Sequence, residues 1–180
     1  PRLPSHRMSN PAIEKVAVLG AGSWGTALSI VFGERGLAVA LYGTNPATIQ
    51  EINTSQTNSR YLPGITLPPA VRGTLDLAEA AKCPLILLVV PSRAAREVLT
   101  QLREAGLSRE AIVMSCTKGL EPSAGLLMHE LIGEILPGNP VAALSRPTHA
   151  EEVAARQATA AVIGCADEAI GARIQEVFTL

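Results

Sequence analysis

The sequence predicts an α/β fold of the doubly wound kind, with a mainly parallel sheet in a single domain. Three observations carry this. β-rich apolar runs alternate with segments of helical period along the whole chain. The run Leu85-Ile86-Leu87-Leu88-Val89-Val90 is apolar without alternation, as in a parallel strand covered on both faces. The first apolar run, Val16 to Leu19, meets a glycine cluster that opens a helical segment.

The elements follow in order. Residues 1–12 hold three prolines among polar side chains. They are expected to form a disordered leader or expression remnant, with Met8 as a candidate start, and the folded domain is 13–180. A strand begins at Lys15. A helix over Ser23 to Arg35 buries Ala27, Leu28, Ile30, Val31 and Trp24, and Gly36 suits its C′ position. Leu37 to Tyr42 is the second strand, and Pro46 starts a helix that runs to Thr54. Asn58 to Pro69 is a proline-containing loop. Thr74 to Lys82 reads as a short helix with Asp76 early and Lys82 late, as the helix dipole prefers. After the strand Leu85 to Val90 comes a helix over Arg93 to Glu104, a strand over Ala111 to Cys116, and a helix over Ser123 to Ile135. Pro140 to Ser145 and Thr159 to Gly164 are strands, and Glu168 to Phe178 is a closing helix.

Composition narrows the function classes. The 180 residues include 17% charged and 3% aromatic side chains with a net charge of −1, which argues against a nucleic-acid or anionic-membrane surface. No apolar run reaches membrane-spanning length, and no signal-peptide core is seen, so a cytoplasmic protein is expected. Cys83, Cys116 and Cys165 are odd in number and widely spaced, which suits buried thiols in a reducing compartment. No metal-ligand spacing occurs. His129, beside Leu131 and Ile132, reads as a partly solvated helix histidine, and His6 carries no chemistry.

The chemistry begins at Gly20, Gly22 and Gly25, spaced G-x-G-x-x-G between strand and helix. Such a cluster is the dinucleotide-binding entry. The first glycine allows the turn, the second admits a pyrophosphate, the third lets helix and strand pack closely, and the helix N-terminus faces the phosphates. A P-loop is excluded because Thr26 stands where its lysine belongs. At the end of the second strand, Gly43-Thr44-Asn45 offers neither the acid typical of NAD sites nor an arginine for NADP, and a plain turn explains these residues equally well. Ligands of such sheets bind at the carboxyl ends of strands. Four strand ends carry unusual residues there: Gly20 to Gly25, Val90-Pro91-Ser92, Thr117-Lys118-Gly119 and Ser145 to Ala150. One ligand face is expected to collect all four.

Gly20-Ala21-Gly22-Ser23-Trp24-Gly25-Thr26-Ala27-Leu28, Leu41-Tyr42-Gly43, Tyr61-Leu62-Pro63-Gly64, Val89-Val90-Pro91-Ser92, Thr117-Lys118-Gly119-Leu120-Glu121 and Pro147-Thr148-His149-Ala150-Glu151-Glu152 follow one another. Together they resemble the N-terminal, Rossmann-type domain of bacterial NAD(P)-dependent glycerol-3-phosphate dehydrogenases, over about Ile13 to Leu180. The resemblance implies NAD or NADP as cofactor and interconversion of dihydroxyacetone phosphate and sn-glycerol 3-phosphate, feeding glycerophospholipid synthesis. It places Ser23, Trp24, Thr44, Pro91, Lys118 and Ala150 on the cofactor, and Lys118, Arg146 and Thr148 on the substrate. It leaves room for a homodimer of the full-length protein.

Three departures from the family pattern stand out. Arg146 replaces a glycine beside the substrate, where it either pairs with a phosphate or blocks the site. Arg156 replaces a second glycine, and Ala158 a proline. The family's general-acid lysine belongs to a helical second domain beyond Leu180, so no catalytic acid is expected in this chain. A related two-domain dehydrogenase, or a non-catalytic dinucleotide-binding module, remain the alternatives.

Overall fold

The computed structural model describes residues 12–145 and 149–179. Seven strands and seven helices alternate among these residues. They are β1 (Lys15–Leu19), α1 (Ser23–Glu34), β2 (Ala38–Tyr42), α2 (Pro46–Ser55), β3 (Val71–Thr74), α3 (Leu77–Ala80), β4 (Leu85–Leu88), α4 (Ser92–Glu104), β5 (Ile112–Ser115), α5 (Met128–Ile135), β6 (Val141–Ser145), α6 (Ala150–Ala154), β7 (Val162–Cys165) and α7 (Glu168–Phe178). One sheet holds the strands in the order β3-β2-β1-β4-β5-β6-β7. All pairings are parallel except β6 with β7, which is antiparallel at the edge.

The central strands show why the sheet is buried on both sides. Along β1, Val16 and Val18 enter one core and Ala17 and Leu19 the other; along β4, Leu85 and Leu87 part in the same way from Ile86 and Leu88. Side chains two apart share a face, so a run with no polar residue supplies two cores at once. One core takes Ala27, Leu28, Ile30 and Phe32 of α1, with the Phe32 and Phe178 rings edge to face at 4.9 Å. The other takes Ala95, Val98, Leu99 and Leu102 of α4 and Leu131 and Ile132 of α5. Burying one such aliphatic side chain is worth about 1.5–3 kcal/mol.

Several elements differ from the sequence reading. β3 falls between the loop, read as ending at Pro69, and the helix, read as starting at Thr74, where the sequence reading places no strand. Its four residues include exposed Arg72 and Gly73, and pairing with β2 makes it a strand. The predicted helix Thr74 to Lys82 shrinks to α3, because Asp76 sits at its N-cap and accepts from the Ala78 amide at 2.8 Å. The predicted helix Ser123 to Ile135 starts only at Met128. Before it, Gly125 adopts φ +68 and the Glu121 carboxylate accepts from the Ala124 amide, so the chain turns instead of coiling. α6 was not expected, and the strand predicted at Thr159 begins at Val162. The leader expected over 1–12 lies almost wholly outside the described residues.

Other details follow the chain's local chemistry. Asn45 caps α2 by accepting from Ala47 N at 2.9 Å, directly before Pro46. Gly36 ends α1 at φ +82. His129 is exposed on α5. No disulfide joins the three cysteines, and Cys83 and Cys116 are buried. Among the described residues no helix is long and apolar enough to cross a membrane.

Candidate functional site

Strand order reverses between β1 and β4. From β1 the chain builds outward to β2 and β3, and from β4 to β5 and β6 on the other side. The crevice this leaves at the carboxyl ends is where such sheets take ligands. A cleft of about 590 Å³ opens there.

Three glycines shape its floor, each differently. Gly20 turns the chain out of β1 at φ +126 and donates its N–H to Tyr42 O at 2.9 Å. A Cβ on Gly25 would stand 1.8 Å from Gly20 O, so the first turn of α1 touches the glycine turn backbone to backbone. A Cβ on Gly22 would meet nothing within 4 Å, so this glycine faces open cleft. Gly22 is also the N-cap of α1 and brings no side-chain cap, which leaves the positive end of the helix dipole directed at the cleft.

Side chains from outside the motif hold this loop. Asn58, fully buried, donates from Nδ2 to Ala21 O at 3.0 Å and to Thr26 Oγ1 at 2.8 Å. Ser23 Oγ donates to Tyr61 O at 2.8 Å. The segment that carries Asn58 and Tyr61 is itself closed by a bridge between Thr57 and Thr66. The Glu51 carboxylate anchors it by accepting from Thr57 Oγ1, Ser59 N and Ser59 Oγ, and those bonds, the Ser59 hydroxyl's first, hold the carboxyl below its ordinary pKa. Tyr61 lines the cleft, with the Arg60 guanidinium over its ring at 5.4 Å.

The opposite wall comes from β4 and β5. Pro91, three residues beyond the end of β4, is the N-cap of α4. Thr117 Oγ1 lies 3.0 Å from Leu88 O and 2.8 Å from Val90 O, where it donates to one at a time. Lys118 follows and lines the cleft, the one ammonium lining it among the described residues.

Of the residues singled out in the sequence, Gly20, Gly22, Ser23, Trp24, Gly25, Thr44, Pro91 and Lys118 all line this cleft. Ala150 does not; it is buried at the start of α6, against α1. Arg146 and Thr148 lie outside the described residues; among the described residues three of the four expected strand ends reach the cleft, and Ser145 and Ala150 of the fourth do not line it. Arg156 is away from the cleft. It adopts φ +58 after α6 and pairs with Glu34 of α1. Both line a second cavity of about 590 Å³ between α1, α6, β7 and α7, and Trp24 lines both cavities. Asn58 and Glu51 carry no motif, and sequence reasoning missed them. Tyr61 was legible only as part of the resemblance. Among the described residues no three His, Cys, Asp or Glu side chains gather as metal ligands.

Known proteins share this arrangement. The model of the NAD-dependent glycerol-3-phosphate dehydrogenase N-terminus matches residues 15–171. A glycerol-3-phosphate dehydrogenase [NAD(P)+] of Caulobacter vibrioides is 43% identical over 170 residues, covering 93% of this chain and 50% of that protein. The crystal structure of glycerol-3-phosphate dehydrogenase from Coxiella burnetii superposes with a TM-score of 0.88 at 32% identity, over 94% of this chain and 52% of that one. The Plasmodium falciparum enzyme gives 0.87 at 28% identity, over 94% and 50%. The chain spans about half the length of the curated relatives it matches.

Proposed function

The chain belongs to the family of NAD-dependent glycerol-3-phosphate dehydrogenase N-terminal domains, and on that premise we propose that its cleft holds NAD or NADP for the interconversion of dihydroxyacetone phosphate and sn-glycerol 3-phosphate. The observation that carries this is the glycine turn. Gly22 leaves open space where a pyrophosphate would lie, and the uncapped start of α1 faces the same space. The residues therefore fit the cofactor, which supplies a hydride when bound.

The chain's own groups divide the work. Ser23 and Trp24 flank the phosphates, and Gly43 and Thr44 lie at the adenosine end. Pro91 and Thr117 shape the wall on the other side. Lys118 offers an ammonium at a strand end, where it holds a substrate oxygen and stabilises negative charge on it. Thr148 and Arg146 belong to the substrate side of this reading, and Ala150 to the nicotinamide end. The product feeds glycerophospholipid synthesis in the cytoplasm, and the complete protein works as a homodimer without nucleic-acid or membrane partners. The proton donor comes from a lysine of a helical second domain.

Calorimetry with NADH and NADPH at low salt tests the reading. Binding of either is expected; no heat from either, on a folded sample, overturns it. Residues 1–180 mixed with NADH and dihydroxyacetone phosphate should show no turnover, because loss of a positioned acid costs about 10²–10⁴-fold and loss of orientation costs more. Appending a homologous helical domain should restore activity. Turnover by the isolated chain that disappears in Lys118→Ala would instead make Lys118 a sufficient acid.

A further inference from the structure

We infer that Glu121, clamped by Arg96 of α4, is a positioning residue that sets where Lys118 stands in the cleft. The inference rests on the reading of the cleft as a cofactor site with Lys118 in its wall.

Lys118 has little to place it directly. Among the described residues no acid pairs with its ammonium. Its location therefore depends on how its backbone is held on either side. On the N-terminal side, Cys116 N donates to Leu88 O at 2.9 Å, and the Thr117 hydroxyl reaches Leu88 O and Val90 O. After Lys118 the chain passes through Gly119 at φ +91 and Leu120, which is 52% exposed. The backbone there is tied by an isolated antiparallel bridge between Leu120 and Leu127. The first side chain after Lys118 to anchor the loop is that of Glu121.

Glu121 is 3% exposed and satisfied on every side. Its N–H donates to Leu126 O at 2.8 Å, and its carbonyl accepts from Gly125 N at 2.9 Å. Its carboxylate accepts from Arg96 Nε at 3.1 Å, from Ala124 N at 2.7 Å and from the Ser123 hydroxyl. Arg96 extends the tie through Nη1 to Glu134 of α5 at 2.6 Å. One guanidinium thus links α4, the Lys118 loop and α5.

A carboxylate in such a place demands a reason. A buried charge needs a partner and full hydrogen bonding, and an apolar side chain of similar volume is often no less stable. An apolar side chain could not, however, fix the loop's orientation against α4, as a directional charged hydrogen bond does. α4 starts at Ser92, immediately after Pro91 in the cleft wall, and Ser92 Oγ lies 3.9 Å from a Cβ placed on Gly119. Holding the loop to α4 therefore registers Lys118 against the same wall that the ligand meets.

The test is a double-mutant cycle on the intact chain, read by calorimetry with NADH and NADPH. Glu121→Gln keeps the volume, removes the charge and puts an NH2 donor in place of one of the two accepting oxygens, so either the Arg96 and Ser123 side or the Ala124 amide loses its acceptor. It should weaken binding about tenfold, a typical coupling for groups acting as one unit. In a Lys118→Ala background the same substitution should change affinity by less than about twofold. Arg96→Met should copy Glu121→Gln, and Arg96→Lys should recover part of the loss. A loss of the same size with and without Lys118 would make Glu121 merely structural and overturn the inference.

Amide relaxation of the ligand-free chain supplies the second arm. Heteronuclear NOE values should fall at Lys118, Gly119 and Leu120 in Glu121→Gln and hold elsewhere. Unchanged values there overturn the inference, whatever the cofactor does. Failure of the parent to bind either cofactor would sink the functional reading and leave the relaxation arm to decide this one. If Glu121→Gln does not fold, the Arg96→Lys and Arg96→Met pair carries both arms.

Discussion

Gly22 and Gly25 sit three residues apart in one motif, and replacing each by alanine should do opposite things. At Gly25 the added Cβ would stand 1.8 Å from Gly20 O, whereas real Cβ atoms essentially never come within 3.0 Å of another heavy atom. Both groups are backbone-borne, so no side chain can swing aside. The start of α1 has to move by about 1 Å, and a gap of that size forfeits roughly a quarter to a half of each dispersion contact it opens. The contacts at risk are those of Ala27, Leu28 and Ile30, all buried against β1 and its neighbours. Overpacking of this kind costs about 3 kcal/mol, set against the ~1 kcal/mol that alanine gains over glycine inside a helix. The net, about 2 kcal/mol, should lower Tm by about 4–8 °C for a domain of this size. At Gly22 nothing lies within 4 Å and the backbone, at φ −82, suits any residue. Gly22→Ala should therefore leave Tm within about 2 °C, a change of under ~0.5 kcal/mol, while weakening cofactor binding; Gly22→Val should abolish it. Thermal melts and calorimetry on the two alanine variants are the assay. A Gly25→Ala protein as stable as the parent, or a Gly22→Ala protein that binds as well as the parent, would refute the division of labour between the two glycines.

Three further outcomes are expected. Asn58→Ala strips the donor from Ala21 O and from buried Thr26 Oγ1, so urea titration should show a loss of about 2 kcal/mol, with weaker cofactor binding as the glycine loop relaxes; unchanged stability would mean those acceptors find other partners. The NADH to NADPH affinity ratio should stay within about tenfold, roughly 1.4 kcal/mol, because Asn45 is occupied in capping α2 and, among the described residues, Lys118 is the one charged side chain lining the cleft; a larger ratio points to a clamp outside these residues. The Ser123 hydroxyl first, then Arg96 and the Ala124 amide, hold the Glu121 carboxyl at about 2, below its ordinary 4.5. A depressed folded-state pKa contributes stability that is complete above the unfolded value and drains away as pH falls toward the folded one. The parent's lead over Glu121→Gln in urea midpoint should therefore be constant above about pH 5 and shrink toward about pH 2; a lead independent of pH would remove the carboxylate from the account.

The legible parts of this protein were those whose cause is local. A glycine turn, an unbroken apolar strand and the Asn45-Pro46 helix start each announce themselves within a few residues. Three of the strand-end segments were legible too, because strands that run parallel bring their carboxyl ends to one edge of the sheet. What stayed hidden depends on partners far along the chain. β3 has a glycine and an exposed arginine among its four residues and owes its state to β2. Asn58 looks like any loop asparagine until the fold carries it to Ala21, 37 residues away. Glu121 lies 25 residues from Arg96, and the apolar spacing of Leu126, Leu131 and Ile132 masks the turn that precedes α5. The resemblance pointed to Lys118; it carried no sign of what keeps Lys118 in place.

Trp24 is the chain's single tryptophan, and its indole forms part of the wall between the two cavities. Its fluorescence is therefore a private channel into both. A reduced nicotinamide absorbs where indole emits, so a dinucleotide in the cleft quenches by energy transfer and lowers intensity. Anything that fills the space between α1 and α7 changes the polarity around the other side of the ring and moves the emission maximum. Intensity and wavelength thus read two sides of one residue, and a single titration in a cuvette can separate an event in the nucleotide cleft from one behind it.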